Sequence, residues 1–401
     1  MNDEWMNATL GACCDFVNQK ADPKTLHADT IYIGLEHITP EVGRVYQCGI
    51  TADVSSMVIL FQQDDVLFGR LRPYLKKVVY AHSSGVCSPE VLVLRARTDV
   101  ISPGFLYLVA SRDAAIDHAV ALSAGSRMPR TAPSDLASLP ILLPPLPIQR
   151  RIVDLMAHLD NHLANLRAER TAAKQLLVAL RDDLLASTLD WTESTLGDLT
   201  KKIGSGATPR GGESAYVQAG ISLIRSQNVY DFRFQWEGLA RITDSQARLL
   251  DGVTVECGDV LINITGASVN RVCCVPDSVL PARVNQHVAI LRPDINVLDS
   301  SFLAHLLRRS DLKVSLDILS GSGTTRQAIT KLQLESFVVT LPNIAEQRKR
   351  ASLLDDQVRV IDCFSKEVEA FVVFRARVLN ALLDGVVSLA ADYDIFLPEV
   401  A

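Results

Sequence analysis

The chain of 401 residues contains the same series of motifs twice, and this duplication constrains its fold more than any other feature. Trp5–Gly11 and Trp191–Gly197 share Trp, Thr, Leu and Gly at identical spacing. Further matches follow in the same order: Asp65-Val66-Leu67 with Asp259-Val260-Leu261, Gly125 with Gly323, Leu136 with Leu334, Ser138 with Ser336, Pro144 with Pro342, and Gln149-Arg150 with Gln347-Arg348. Collinear matches of this kind predict one structural unit of about 200 residues that is used twice.

Each copy has a mixed first part and a helical second part. Short apolar runs such as Val91–Leu94 and Val288–Leu291 are bounded by Gly, Pro, Asn and Asp, which predicts strands. A proline-containing hinge then follows, Leu143–Pro147 in the first copy and Leu341–Asn343 in the second. A proline just before a segment whose apolar residues recur with helical periodicity is a helix start signal. We therefore expect a long helix after each hinge.

The apolar residues after each hinge recur every three or four positions, which is typical of a coiled-coil seam. Arg170 interrupts the first series, and Gln357 and Arg375 interrupt the second. The predicted seam residues are Ile152, Met156, Leu159, Leu163, Leu166, Leu177, Leu180 and Leu184 in the first helix, and Leu354, Ile361, Phe364, Val368, Phe371, Val378 and Leu382 in the second. The order globule, helix, globule, helix favours an antiparallel helix pair. The alternative is an ordinary amphipathic helix packed on its own domain.

The composition and the motif inventory favour a binding subunit over an enzyme. The chain has 40 Lys and Arg against 46 Asp and Glu, a net charge of -6, which argues against binding nucleic acid by bulk charge but not against a local basic face. It lacks the phosphate-binding, dinucleotide-binding, zinc-protease and hydrolase motifs. His158 and His162 have metal-ligand spacing, but no neighbouring residues complete a ligand set, so we predict no metal site. The eight cysteines form no Cys-x-x-Cys pair, and no apolar run is long enough for a membrane span, which favours a cytoplasmic protein.

Three groups of motifs, spread over nearly the whole chain, carry a resemblance to a known family. The motifs are Asp65–Val78 with Gly85–Glu90; Ser205–Pro209 with Gly258–Ser268 and Asn285–Ala289; and Gly323–Thr330 with Leu341-Pro342 and Glu346–Arg348. In these motifs the chain resembles the specificity subunit of type I DNA restriction-modification enzymes. One departure is Ile148, where the family usually has Glu before the Gln-Arg pair, whereas the second copy keeps Glu346.

The resemblance implies an α/β fold, with two duplicated α/β target recognition domains separated by two long antiparallel coiled-coil helices. It places the first recognition domain at 1–146, the central long helix at 147–190, the second recognition domain at 191–342, and the C-terminal long helix with its tail at 343–401. Each recognition domain would read one half of a bipartite, asymmetric site in double-stranded DNA. The helices would set the unread spacer and dock the partner subunits.

The resemblance also implies the partners and cofactors of a bacterial or archaeal phage-defence complex in the cytoplasm. Two modification subunits would bind S-adenosylmethionine and methylate adenine, and restriction subunits would use ATP and Mg²⁺ for translocation and cleavage. This chain itself would be non-catalytic and hold no cofactor. Two alternatives remain at this point: a specificity subunit of a type IIB/IIG-like system with a fused methyltransferase-nuclease, and a coiled-coil adaptor without a role on DNA.

The candidate DNA-binding residues are basic, amide, hydroxyl and aromatic side chains in predicted loops, because such groups bind phosphates and base edges. In the first copy they are Arg70, Arg72, Tyr74, Lys76, Lys77, Ser126, Arg127 and Arg130. In the second copy they are Lys201, Lys202, Ser205, Thr208, Arg210, Arg225, Gln227, Asn228, Thr324, Thr325, Arg326 and Gln327. The Gly-rich segment 204–212 fits either a phosphate cradle or a mobile loop. Since neither globule has an excess of basic residues, we expect weak DNA binding by the chain alone.

Overall fold

The computed structural model describes residues 5–40, 43, 45–125, 127–321, 328–390 and 393–394. The chain divides into two compact units, Met1–Asn165 with Val368–Ala401, and Leu166–Glu367. Both boundaries fall inside the long helices, so each unit consists of one globule together with a segment of each helix. We refer to them as unit 1 and unit 2.

The elements follow the same order in both copies. The first copy contains β1 (Met6–Thr9), α1 (Leu10–Cys13), β2 (Cys14–Val17), β3 (Lys20–Ala21), β4 (Ile31–Ile33), β5 (Gly49–Ile50), β6 (Val58–Phe61), β7 (Val66–Gly69), β8 (Val78–Tyr80), β9 (Gly85–Cys87), β10 (Val91–Ala96), α2 (Pro103–Ser111), α3 (Asp113–Ala121), α4 (Pro133–Ala137), β11 (Pro140–Leu143) and α5 (Leu146–Leu184). The second contains β12 (Thr192–Thr195), α6 (Leu196–Leu199), β13 (Thr200–Ser205), β14 (Ile221–Ile224), β15 (Val229–Tyr230), β16 (Arg233–Phe234), β17 (Ala240–Ile242), α7 (Asp244–Arg248), β18 (Thr254–Val255), β19 (Val260–Asn263), β20 (Val272–Cys274), β21 (Ala282–Val284), β22 (Val288–Pro293), α8 (Ser300–Leu306), α9 (Ser310–Leu319), α10 (Lys331–Glu335), β23 (Val338–Leu341) and α11 (Ile344–Leu383).

The sheets of the two copies have matching topology. An antiparallel sheet has the order β2-β10-β7-β8 in unit 1 and β13-β22-β19-β20 in unit 2. A two-stranded sheet joins the start of each copy to the strand before its long helix, β1 to β11 and β12 to β23. A mixed sheet contains one parallel pair in each copy, β4 with β9 and β14 with β21. The duplicated α/β fold predicted from the sequence is thereby confirmed.

An apolar core lies between the antiparallel sheet and the following helices in each unit. In unit 1 the four residues of β7 are all buried, and Phe68 packs in one cluster with Phe105 and Leu106 of α2. In unit 2 the cluster joins β19 to Phe302 of α8. Burying one such aromatic side chain contributes about 2–3 kcal/mol, so these contacts stabilise the packing of the helices on the sheet.

An ion pair with a buried carboxylate lies at the turn before β7 in the first copy and before β19 in the second. Asp65 is 1% exposed and accepts two hydrogen bonds from Arg95, at 2.8 and 2.7 Å. Asp259 is 0% exposed and accepts two from Arg292, at 2.7 and 2.9 Å. These hydrogen bonds raise the pKa of both guanidinium groups, so both arginines stay charged. The repeated Asp-Val-Leu motif therefore has a structural role.

A buried glutamine attaches the start of each long helix to its own globule. Gln149 donates to the carbonyls of Val100 and Pro144, at 3.0 and 2.9 Å, and accepts from the Ser102 amide at 2.8 Å. Gln347 repeats this arrangement in unit 2. It donates to Val297 and Pro342, both at 2.9 Å, and accepts from Asp299 at 3.0 Å. The repeated Gln-Arg pair is therefore explained by its glutamine, which satisfies loop groups that would otherwise be buried without partners.

The long helices pack antiparallel within each unit. In unit 1, Asp160 of α5 accepts hydrogen bonds from Arg375 of α11, and Arg151 reaches Asp394 beyond the end of α11. In unit 2, Gln357 of α11 donates to the Ala173 carbonyl at 3.1 Å. Every predicted seam residue is buried or half-buried. Two of the polar interruptions of the heptad pattern, Gln357 and Arg375, thus bond to the opposite helix.

None of the helices in the described ranges has a segment long and apolar enough to cross a membrane.

Candidate nucleic-acid interface

Loops from several strands meet at one end of the sheets in unit 2. The Gly206 amide donates to the Asn285 carbonyl at 3.1 Å, the Asn285 amide to Ile224 at 3.0 Å, and the Ile264 amide to His287 at 2.9 Å. These bonds bring together the loops that follow β13, β14, β19 and β21. We call residues 205–210, 225–228, 263–271 and 285–287 the second loop cluster.

The equivalent loops meet in unit 1. The Ser88 amide donates to the Ile33 carbonyl, the Arg70 amide to Glu90, and the Thr131 amide to Arg70, each at 3.0 Å. The strands that end here, β4, β7 and β9, correspond to β14, β19 and β21 of the second copy. We call residues 34–37, 70–77, 88–90 and 127–131 the first loop cluster.

The first loop cluster presents Arg72 and Tyr74 to solvent. Arg72 has a φ of 52°, which is uncommon for a residue with a side chain, and its amide donates to the Pro129 carbonyl at 2.8 Å. Tyr74 follows in a tight turn and is 51% exposed. A strained, exposed Arg next to an exposed Tyr is an arrangement that can contact a phosphate and an adjacent sugar or base. Arg70 is half-buried, and Arg127 is exposed and makes no ion pair with another described residue.

Three other predicted residues of this cluster bond to the protein itself. Lys76 pairs with Asp113 at 2.7 Å, and Lys77 donates to the Leu35 carbonyl at 2.6 Å. Arg130 binds both carboxylate oxygens of Glu90 at about 3 Å, and this hydrogen bonding raises the pKa of its guanidinium. These ion pairs and hydrogen bonds position the loops. They explain why the three residues are present without a contact to DNA, although the sequence analysis predicted one for each.

The second loop cluster contains a chain of polar side chains. Thr208 donates to Gln286, the Gln286 amide lies 3.1 Å from the His287 ring, and the other His287 nitrogen bonds to Thr265. Of these residues only Thr208 was among the predicted contacts. Hydroxyl, amide and imidazole groups in one row provide both donors and acceptors, which reading of base edges requires. The sequence repeat is the signal that would have identified Thr265, Gln286 and His287, because their loops correspond to loops of the first cluster.

The remaining predicted residues of unit 2 differ in their surroundings. Ser205 and Arg210 are exposed and Lys202 is half-buried, whereas Lys201 pairs with Asp294 at 3.3 Å. Arg225 stacks over the Tyr216 ring at 5.1 Å, and both Arg225 and Gln227 donate to the Gly238 carbonyl.

Asn228 requires a correction. It is 0% exposed, its side-chain oxygen accepts from the Arg225 amide at 3.0 Å, and its amide donates to the Gln235 carbonyl at 2.9 Å. Because the side chain is buried and bonded on both sides, it fixes the loop and presents no surface to DNA.

Five predicted residues lie outside the described part of the chain, namely Ser126, Thr324, Thr325, Arg326 and Gln327.

The sequence analysis missed a group of residues beside the second loop cluster. There Arg233 and Arg271 approach the ring of Tyr230, at 5.2 and 4.4 Å from its centroid. Within the described ranges no group of three His, Cys, Asp or Glu side chains could hold a metal ion, so His158 and His162 are not part of such a set.

The fold and its loops define a duplicated α/β protein with a loop cluster in each unit and with paired long helices. The sequence model described as type I restriction modification DNA specificity domain matches residues 2–174 and 188–368. The two matches cover both copies of the repeat and most of the chain. The chain therefore belongs to the family of type I restriction modification DNA specificity domains and carries this domain twice.

Curated relatives include specificity subunits from a bacterium and an archaeon. The chain is 28% identical over 140 residues to the type I restriction enzyme EcoDI specificity subunit of Escherichia coli, which is 33% of this chain and 31% of the relative. The match thus spans about a third of that relative's length. The chain is 20% identical over 323 residues to the MjaVIII specificity subunit of Methanocaldococcus jannaschii, 77% of this chain and 75% of the relative.

Solved structures resemble the fold over nearly its whole length. One is a chain from work on complex assembly and conformational transition of the type I R-M system, with a TM-score of 0.66, 22% identity, and coverage of 96% of this chain and 98% of that one. Another is the S subunit of a type I restriction-modification system from M. genitalium, with a TM-score of 0.56, 15% identity, and coverage of 96% and 97%. At these identities the likeness concerns the fold.

Proposed function

We propose that this chain is the DNA-reading subunit of a type I restriction-modification complex, in which each repeat reads one half of a bipartite, asymmetric site. The observation that carries the proposal is the equivalence of the two loop clusters. They follow corresponding strands, yet they present different side chains: Arg72, Tyr74 and Arg127 in unit 1, and a Thr-Gln-His-Thr row in unit 2. One scaffold with two different sets of donors fits two different half-sites.

The paired helices support a spacer function in this proposal. Helix α5 has 39 residues and α11 has 40, which corresponds to roughly 60 Å each at 1.5 Å per residue. Buried apolar residues together with the bonds of Gln357 and Arg375 hold each antiparallel pairing in one register. In this proposal the length of the helices sets a constant number of unread base pairs between the two half-sites, and the outer faces of the helices dock the modification subunits.

The catalytic chemistry is assigned to partner subunits in this proposal. The sequence has no motif for binding S-adenosylmethionine or ATP, so methylation by two modification subunits and cleavage by restriction subunits would occur on DNA that this chain selects. Because the chain has a net charge of -6, we expect the assembled complex, and not the isolated chain, to bind DNA tightly.

The test is selection of bound duplexes from a random library by the purified complex of this chain and its modification subunit. We expect the selected DNA to share two short motifs separated by a constant number of variable base pairs. A matched control is the modification subunit alone, which should select no such pair. Selection of a single contiguous motif, or of no motif, would contradict the proposal; the second result is the one that an adaptor without a DNA role predicts.

A further inference from the structure

The hairpin formed by β15 and β16 has a turn that is bonded to neighbouring elements of unit 2. Tyr230 pairs with Arg233 across the hairpin, and the turn between them is Asp231-Phe232. Phe232 has a φ of 57°, a backbone conformation that a bulky residue rarely adopts. Such a conformation persists only where surrounding contacts hold it in place.

Those contacts are present on both turn residues. The Phe232 ring stacks on the imidazole of His305, with centroids 4.5 Å apart and an interplanar angle of 22°, and the Arg181 guanidinium lies 4.8 Å from the same ring. The Phe232 amide donates to the Val272 carbonyl at 2.9 Å, and the Val272 amide donates to the Asp231 carboxylate at 3.1 Å. The hairpin is therefore rigidly attached at its turn.

Two arginines lie close to the ring of Tyr230, beside this turn. The guanidinium of Arg271 lies 4.4 Å from the Tyr230 ring centroid, and that of Arg233 lies 5.2 Å from it. Within the described part of the chain neither arginine pairs with a carboxylate, in contrast to Arg283, which bonds to Asp251 at 2.7 Å. A cation–π contact attracts a guanidinium to the face of the ring without neutralising its charge, so both cations remain available to an anion.

The pair borders the second loop cluster. The Asn263 amide donates to the Arg271 carbonyl at 2.9 Å, and the Asn263 side chain donates to the Ser226 carbonyl at 2.9 Å. Arg271 thus ends the segment 263–271 that contributes to the cluster. Two guanidinium groups that lie near one ring and pair with no carboxylate among the described residues place positive charge at the margin of the cluster, which favours an anion there.

We propose that Tyr230, Arg233 and Arg271 form a phosphate clamp that binds one DNA backbone phosphate at the second half-site and sets the register of the duplex. This inference rests on the proposed DNA-reading function and adds a specific contact to it. A phosphate offers several oxygens that can accept from two guanidinium groups at once, whereas the reading edge of a guanine accommodates a single arginine fork. Two arginines on one ring therefore favour a phosphate over a base.

Among the described residues of the first copy there is no equivalent of the clamp. The residue that precedes β8, in the position of Arg271 before β20, is Lys77, and its ammonium donates to the Leu35 carbonyl at 2.6 Å. The clamp is thus a feature of the second half-site alone. We expect its removal to affect DNA contacts on that side of the recognised sequence.

The experiment measures binding of the complex with its modification subunit to the selected duplex and to an unrelated duplex, over a range of salt concentrations. We expect Arg233→Gln and Arg271→Gln each to weaken binding to both duplexes equally, on the order of tenfold at low salt. Each should also lower the slope of log affinity against log salt by about one. Arg271→Lys, which keeps the charge, should keep the slope. Tyr230→Phe should bind like the wild type, whereas Tyr230→Leu should bind more weakly.

Arg248→Gln is the matched control, because it removes an exposed arginine of unit 2 from α7, which contributes no residue to the loop cluster. It should leave affinity and salt slope unchanged. A loss confined to the selected duplex would identify base reading and overturn the clamp, as would unchanged affinity and slope in both arginine variants. Failure of the wild-type complex to prefer any sequence would instead overturn the proposed function, since the salt slope on unrelated DNA still reports the clamp.

Discussion

At the scale of single residues, the two copies use the same buried polar groups for structure and different exposed groups at their loop clusters. The Asp-Arg pairs and the glutamines at the helix starts make equivalent hydrogen bonds in both copies. Their repetition in the sequence is visible, and so is their polar character. Their burial depends on partners about 30 to 50 positions away, which no local pattern specifies.

We predict that Gln149→Ala and Gln347→Ala each destabilise the protein by about 3 kcal/mol. Each removes the hydrogen-bond partner of two buried carbonyls and one amide, and leaving such groups unsatisfied is costly. Urea unfolding of both variants would measure the loss. The neighbouring Arg150→Ala, at an exposed position, is the control and should change the free energy of unfolding by less than about 0.5 kcal/mol.

His305 gives a pH-dependent prediction. Burial lowers the pKa of its imidazole below the usual 6.5, although Nε2 bonds to Asp355 at 3.0 Å, and Nδ1 has no partner among the described residues. The unfolded chain therefore takes up a proton at a higher pH than the folded one does. Stability should be constant above about pH 7 and should fall as pH decreases through 6.5, by up to about 1.4 kcal/mol per pH unit.

Thermal unfolding of the wild type and of His305→Gln between pH 8 and pH 5 would measure this effect. The variant should unfold at a lower temperature at pH 8 and lose less stability between pH 7 and pH 5. An identical pH dependence of both proteins would show that His305 is not the group responsible.

The candidate contacts illustrate how far residue-level prediction extends. Choosing basic, amide and hydroxyl residues in predicted loops selected members of both loop clusters, such as Arg72 and Thr208, but also Lys201 and Lys202, which lie on β13. The same criterion could not distinguish Arg72, which is exposed, from Lys77, which bonds to Leu35, or from Asn228, which is fully buried. The Tyr230 group was missed because its members come from separate segments, at 230–233 and 271, and are brought together only by the hairpin.

At the scale of elements, the heptad pattern predicted both long helices and their shared seam. Helix α5 begins at Leu146 and α11 at Ile344, within a few residues of the proline-containing hinges. The polar interruptions could not be interpreted from one helix alone, because their partners lie on the other. The short strands β15 and β16, each of two residues, leave no periodic signal at all.

We predict that the Arg375–Asp160 contact contributes a coupling free energy of about 1 kcal/mol to the helix pairing in unit 1. Arg375 is 22% and Asp160 43% exposed, so the pair is partly screened by solvent. A double-mutant cycle with Asp160→Ala, Arg375→Ala and the double variant would measure the coupling. The double variant should be more stable than the sum of the single losses implies, because each single change also leaves the other charge without its partner. Strict additivity would contradict the contact.

At the scale of the whole molecule, the duplication was the most informative feature of the sequence. The offset between matching residues changes only slightly along the chain, and corresponding strands, sheets and helices follow from it. The DNA sequences of the two half-sites could not be predicted from the amino-acid sequence, because reading a base depends on how a loop enters a groove and not on the composition of the loop.

The spacer proposal predicts the effect of lengthening the helices. Adding one heptad to α5 after Asn165 and one to α11 after Glu367 lengthens both helices by about 10 Å while preserving the seam pattern. Since base pairs are about 3.4 Å apart, the recognised spacer should grow by about three base pairs, with both half-sites unchanged. Selection of duplexes by the variant complex would measure this, and an unaltered spacer would exclude the helices as the ruler.

The central claim is that the two copies read two different half-sites held at a fixed separation. Sequencing of methylated bases in genomic DNA from cells with and without this gene tests it most directly. We predict that methylated adenines disappear, when the gene is absent, from one class of site with two unlike half-sites and a constant unread spacer. An unchanged methylation pattern, or loss at a single uninterrupted motif, would contradict the claim.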